Sequence, residues 1–106
     1  MLDAPVNILH IVIPAFSNES EYRYFIELAD DKEKLEETLI DYEKGVGKLL
    51  ETITGNGCVI HRDRIVLFDM VKWLKENNKN NIGGSRCLYY AYLSKLKYSN
   101  PHLTSR

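Results

Sequence analysis

The stretch Val6 to Ile13 reads Val-Asn-Ile-Leu-His-Ile-Val-Ile, and it decides the fold that the sequence predicts. Apolar and β-branched side chains occur at both odd and even positions, which is typical of a strand buried on both faces or nearly so. Pro14 ends or kinks this strand. The run is broken by His10 and Pro14 and follows no basic region, so we expect neither a signal peptide nor a membrane span.

The segment that follows, from Glu21 to Leu28, alternates in character. Tyr22, Tyr24 and Ile26 fall on one face and charged residues on the other, with Phe25 as the exception. Such alternation predicts a half-exposed strand. Joined by the polar turn at residues 17–20, the two strands predict an antiparallel β-hairpin over residues 6–29.

A long helix is predicted over residues 31–54. Asp30 with Glu33 three residues later resembles a capping box. Gly45 and Gly47 each cost about 1 kcal/mol relative to alanine, so the helix is expected to bend or break there. Ordinary packing on the rest of the chain is the favoured role of its apolar stripe, and a dimer or partner surface is the alternative. The stripe follows heptad spacing: Leu35, Leu39, Tyr42, Val46, Leu49 and Ile53.

Residues 58–68 admit two interpretations, a second hairpin or a short third strand followed by a helix. Helical projection places Val66, Met70 and Leu74 on one side, which favours a helix from about residue 63 to 77. An Asn- and Gly-rich loop follows, and Ser85 caps a last helix that runs to about Tyr98. The tail 99–106 is expected to fray. Residues 1–106 therefore predict one α+β domain, with an N-terminal antiparallel hairpin packed against three helices.

The charge is segregated between the two halves of the chain. Residues 1–53 hold twelve acidic and five basic side chains, a net charge of −7, whereas residues 54–106 hold three acidic and nine basic ones, a net charge of +6. This asymmetry indicates a nucleic-acid or membrane contact on the basic half, or an acidic half that meets a basic partner. The two halves could also pair with each other, within one chain or across a dimer.

The pair of helices over residues 63–98 resembles helix-turn-helix and winged-helix DNA-binding proteins. The connecting loop is longer than in that motif, and no wing strands follow. The resemblance implies that the last helix enters a DNA major groove. Its solvent face and the preceding loop then supply the candidate nucleic-acid-binding residues, which are Lys79, Arg86, Tyr90, Ser94, Lys95 and Lys97. The alternative is a solvated helix face beside a core helix.

No motif predicts catalysis, a cofactor or a metal. Cys58 and His61 have metal-ligand spacing, but Cys87 and His102 form no second tight pair, so we expect no metal site. Two cysteines and no export signal predict an intracellular, cytoplasmic protein. The richness in Ile, Asn, Lys and Tyr resembles small orphan proteins of bacterial and archaeal viruses, which would place it in the host cytoplasm.

The sequence therefore predicts a non-enzymatic accessory protein that binds DNA or RNA through its basic half, as a homodimer if the stripe is an interface. The alternative function is a protein-interaction module or homodimeric scaffold.

Overall fold

The computed structural model describes residues 9–53 and 57–98. The elements, in chain order, are strand β1 (Leu9–Val12), helix α1 (Glu19–Leu28), a 3-10 turn (Lys32–Lys34), helix α2 (Leu39–Ile53), strand β2 (Cys58–His61), helix α3 (Leu67–Glu76) and helix α4 (Gly83–Tyr98). The α+β class is confirmed, although the predicted three helices are four. The tail 99–106 lies outside the described residues.

The sheet consists of β1 and β2, which run parallel with Leu9 opposite Cys58 and Val12 opposite His61. The predicted antiparallel hairpin is wrong, because residues 19–28 form helix α1 instead of a second strand. The Asn18 side chain accepts a hydrogen bond from the Glu21 backbone N–H at 2.9 Å and so caps the helix. Parallel pairing requires a long crossover, and α1 and α2 provide it.

Helix α1 buries Tyr22 and Phe25, which lie three residues apart on one helical face. Phe25, the exception to the strand alternation, is thus one of the residues that direct the helix toward the core. Tyr22 and Ile26 fit either period, whereas Tyr24 fits only that of a strand and is 54% exposed on α1. The cap at Asn18 favours the helical period.

The predicted helix over residues 31–54 is shorter than expected, since α2 begins at Leu39. The predicted cap at Asp30 is wrong, because its carboxylate accepts a hydrogen bond from the Asn81 backbone N–H at 2.8 Å instead of capping a local helix. The Asp31 carboxylate is likewise turned toward the basic half of the chain. Thr38 accepts a hydrogen bond from the Asp41 N–H at 3.1 Å and fixes the first turn of α2. Gly45 and Gly47 lie within a continuous helix, so the expected break is absent from α2.

The strand-then-helix interpretation of residues 58–68 is confirmed by β2 and α3, but α3 begins at Leu67 and not near residue 63. The predicted cap at Ser85 is wrong, because α4 already begins at Gly83. Neither range 9–53 nor 57–98 contains a helix that combines the length and apolar character needed to cross a membrane. The main hydrophobic core joins residues from β1, α1, α3 and α4 and the segment before α3. Its buried members are Val12, Tyr22, Phe25, Ile65, Leu67, Met70, Leu74 and Tyr89.

Candidate functional site

Arg86, predicted to face a nucleic acid, lies in the interior. Its guanidinium pairs with the Asp31 carboxylate through Nη1 to Oδ1 at 2.9 Å and Nη2 to Oδ2 at 3.0 Å. Nη1 also donates to the backbone and side-chain oxygens of Asn81. The expectation of a solvent-facing Arg86 is wrong, because Asn81 binds the end of α1 through Leu28 and thereby brings the first turn of α4 against it.

This ion pair also governs the titration of its acidic partner. The hydrogen bond from Arg86 holds the pKa of Asp31 below its usual range, and the Gly83 backbone N–H adds to the effect. The Arg86 guanidinium carbon lies 5.4 Å from the centroid of the Phe25 ring. A charge that is paired, hydrogen-bonded and stacked in this way is a structural group of the fold.

Ser94 and Tyr90 also face inward more than the sequence predicts. Ser94 is buried, and its hydroxyl donates to the His10 backbone carbonyl, so it joins α4 to β1. Tyr90 is half-buried, and burial raises its pKa. Tyr92, two residues further along α4, is 42% exposed. The inward face of α4 is therefore rotated relative to the prediction.

The three candidate lysines do not form one patch. Lys79 lies before α4, whereas Lys95 and Lys97 lie in its last turn. A helix of 16 residues is about 24 Å long, so the two groups stand near opposite ends of it. Lys97 Nζ lies 3.6 Å from the Asp63 Oδ2 atom. The structure thus separates the predicted site residues into three inward-facing side chains and three outer cations.

Ion pairs within the chain join its acidic half to its basic half. Three ion pairs join an acid of the first half to an arginine of the second half: Asp31 to Arg86, Glu43 to Arg62 and Glu21 to Arg64. In each pair the arginine lowers the pKa of the carboxyl group, chiefly through a hydrogen bond. The alternative in which the two halves pair with each other is therefore confirmed for these groups.

The described residues form an apolar cleft of about 670 Å³ between α2 and α4, with β1 beside them. A volume of this size falls within the range of binding sites in proteins. No local pattern in the sequence indicates this cleft, because its walls come from different halves of the chain. Its apolar lining includes Leu9, Ile11 and Ile13 near β1, Tyr42, Val46, Leu49 and Ile53 of α2, and Cys87, Tyr90 and Ala91 of α4.

The α2 wall is fixed to the body of the protein by its first turns. The Tyr42 hydroxyl donates to the Pro14 carbonyl at 2.6 Å, and burial raises the pKa of Tyr42 to about 12. Arg62 donates to both carboxylate oxygens of Glu43, at 3.0 and 2.7 Å, and to the Pro14 carbonyl at 2.9 Å. Beyond these anchors Leu49 lines the cleft and is 46% exposed. The wall therefore presents an accessible apolar surface on a positioned helix.

The outward face of α4 extends this apolar surface. Leu88, Tyr92 and Leu96 recur every four residues and are exposed by 51%, 42% and 60%. Ala91, on the rim of the cleft, is also exposed. The only hint in the sequence is that apolar residues surround this helix on all sides, which is typical of a helix buried on all sides. Here part of that surface is open.

Charged residues lie in and beside the lining of the cleft. Lys34 and Glu36 line it, and Lys32 and several exposed carboxylates are close to them in sequence. Four of these acids form no ion pair with any other residue in the described part of the chain: Glu33, Glu36, Glu37 and Asp41.

A separate cluster of titratable groups lies where the two strands meet the end of α4. His10 Nδ1 and His61 Nε2 are 3.0 Å apart, and the His61 ring stacks on Tyr98 with centroids 3.5 Å apart. The Tyr98 hydroxyl donates to Asp63 at 2.6 Å. Within residues 9–53 and 57–98, no three His, Cys, Asp or Glu side chains converge as metal ligands. His102 falls outside the described residues.

Comparison with protein-family models, with curated proteins and with solved structures finds no match for this chain. Its class is therefore given by its structure, an α+β protein with an apolar cleft between two helices.

Proposed function

We propose that the chain is a protein-interaction module whose cleft accepts an amphipathic helix from a partner protein. The observation that carries this proposal is the 670 Å³ apolar cleft, which continues through Ala91 onto the exposed apolar face of α4. Apolar surface of this kind, left open to water, is characteristic of sites that another molecule covers.

The form of the cleft favours a helix as the occupant. Its two helical walls, α2 and α4, have 15 and 16 residues, so each extends for about 22 to 24 Å. A partner helix of about four turns would match this length. Helices bound in grooves present apolar anchors at every third or fourth residue, and Leu49 and Ile53 of α2 are spaced to meet them.

The segment from residue 32 to residue 41 has four acidic and two basic side chains, and this excess of carboxylates beside the cleft favours a basic partner. The four carboxylates without ion pairs, Glu33, Glu36, Glu37 and Asp41, would attract lysine or arginine on the polar face of the incoming helix. Complementary charge of this kind raises the association rate and selects the orientation of the bound helix.

Binding of a labelled peptide, followed by fluorescence anisotropy, tests this function. The probe is a helical Leu/Lys peptide of about 16 residues, and a Leu/Glu peptide of the same apolar pattern is its control. The wild-type chain is expected to prefer the Leu/Lys peptide. Leu49→Gln should weaken binding about tenfold, because an unpaired amide would be buried under the peptide. Ile40→Gln is the matched control, since Ile40 is 68% exposed on α2 and does not line the cleft.

Equal affinity for both peptides, or equal effects of the two glutamine variants, would contradict the proposal. Sedimentation equilibrium of the chain without peptide tests whether it forms the predicted homodimer. A dimer that Leu49→Gln abolishes and Ile40→Gln leaves intact would assign the cleft to a second copy.

Nucleic-acid binding is the second candidate function, because α4 contains no acidic side chain and Lys95 and Lys97 are exposed near its end. With Lys79, these residues could neutralise about three phosphates, which corresponds to a slope of about −2.7 in a plot of log affinity against log salt on duplex DNA. A flat salt dependence, or no binding at low salt, would rule this candidate out.

A further inference from the structure

Two glycines occupy the interior of α2 although nothing in residues 9–53 and 57–98 requires them sterically. Gly45 and Gly47 both lie within the helix, and the positive φ angle found at Gly57 occurs at neither. A Cβ atom built at either position would meet no atom within 4 Å. Glycine destabilises a helix interior relative to alanine. The described part of the chain thus gives no steric reason for either residue.

The two positions differ in what they face. Gly45 lines the cleft, whereas Gly47 is absent from its lining. Two residues along a helix correspond to a rotation of about 200°. Gly47 therefore provides a natural control with the same local conformation and the same free space.

The opposite wall of the cleft also carries short side chains. Cys87 and Ala91 of α4 line it one helical turn apart, and both are exposed. The distance between packed helices depends on the side chains at their contact, and small residues permit the closest approach. A helix in this cleft would therefore meet short side chains on both walls.

We propose that Gly45 is the point of closest approach for the helix that the cleft accepts, and that it determines which helices fit. This inference rests on the proposed function. The missing side chain at Gly45 leaves room for an apolar anchor of the partner beside Val46 and Leu49. A side chain at Gly45 would fill that space, whereas one at Gly47 would project away from the partner.

The experiment compares Gly45→Ala and Gly45→Leu with Gly47→Ala and Gly47→Leu. Urea unfolding comes first, and the two alanine variants should shift the midpoint to higher urea by similar amounts, since both replace a helical glycine in open space. Affinity for the labelled Leu/Lys peptide is then measured by anisotropy. Gly45→Ala should weaken binding about fivefold and Gly45→Leu by more, as expected for overpacking, while both Gly47 variants should stay within about twofold of the wild type.

The possible results separate the two proposals. If the wild type binds the peptide and Gly45→Ala binds it equally well or better, the inference about Gly45 is wrong and the proposed function stands. Equal weakening of peptide binding by the Gly45 and Gly47 variants would also overturn the inference about Gly45. That result would show that the glycines act through the flexibility of α2. If the wild type binds neither peptide, the proposed function itself fails.

Discussion

Arg86 and Asp31 are 55 residues apart in the chain, yet they form a buried ion pair through two parallel hydrogen bonds of 2.9 and 3.0 Å. The pair joins the first turn of α4 to the segment that follows α1. Fork-to-carboxylate geometry of this kind gives the strongest hydrogen bonds between side chains, and burial excludes competing water.

Removal of Arg86 should destabilise the fold severely. Arg86→Met leaves the Asp31 carboxylate buried without its partner, so the free energy of unfolding should fall by about 3 to 5 kcal/mol. Arg64→Met is the control, because the Arg64 side chain is 66% exposed in its pair with Glu21 and its loss should cost at most about 1 kcal/mol. Urea denaturation measures both values. Equal costs would show that the burial of Arg86 contributes little.

Stability should decline in acid because of the same pair. The pKa of Asp31 is lowered from 3.8 in the folded state, so the pair contributes fully above about pH 3.8 and its contribution is lost as the pH falls through the lower folded value. Asp31→Asn should flatten the acid limb of a plot of unfolding free energy against pH. The exposed substitution Glu33→Gln serves as the comparison. An unchanged acid limb in Asp31→Asn would argue against a lowered pKa.

The hydroxyl of Tyr42 should have a small but measurable role in holding α2. Tyr42→Phe removes the 2.6 Å hydrogen bond to Pro14, yet the Pro14 carbonyl keeps the Arg62 donor at 2.9 Å. We therefore expect a loss of about 0.5 to 1 kcal/mol in urea denaturation, at the lower end for a buried hydrogen bond. A loss above about 2 kcal/mol would mean that Arg62 does not compensate.

Ser94 should behave as a structural residue. Ser94→Ala removes the buried hydrogen bond to the His10 carbonyl, and the free energy of unfolding should fall by about 1 kcal/mol. Ser20→Ala, on the exposed side of α1, should be neutral or slightly stabilising. If Ser94→Ala leaves thermal and urea stability unchanged, its hydroxyl does not hold α4 to β1.

The elements predicted correctly are those with a single consistent pattern. The apolar run before Pro14 contains β1, and the spacing of Met70 and Leu74 belongs to α3. The strand prediction for residues 21–28 was wrong because Tyr22, Phe25 and Ile26 fit a helical period while neighbouring residues fit the period of a strand. Which period prevails depends on the cap at Asn18 and on what the chain packs against, and a local pattern shows only the first of these.

The candidate site was less predictable for a related reason. Whether Arg86 faces solvent depends on Asp31, which lies far away in the chain and enters no helical projection of α4. The cleft also depends on residues that are far apart in the sequence, since Leu49 and Ala91 come from different halves of the chain. Charge counting detected the complementary halves, but it could not show that the arginines would be neutralised internally.

The parallel pairing of β1 with β2 also constrains how the protein is made. During synthesis β1 has no partner strand until β2 is made, because Cys58 follows its partner Leu9 by about 50 residues. Until then the nascent chain has a strand with unpaired backbone hydrogen-bonding groups, which a chaperone or a second copy of the chain can bind. Fragments that stop before residue 58 are consequently expected to aggregate in the cell.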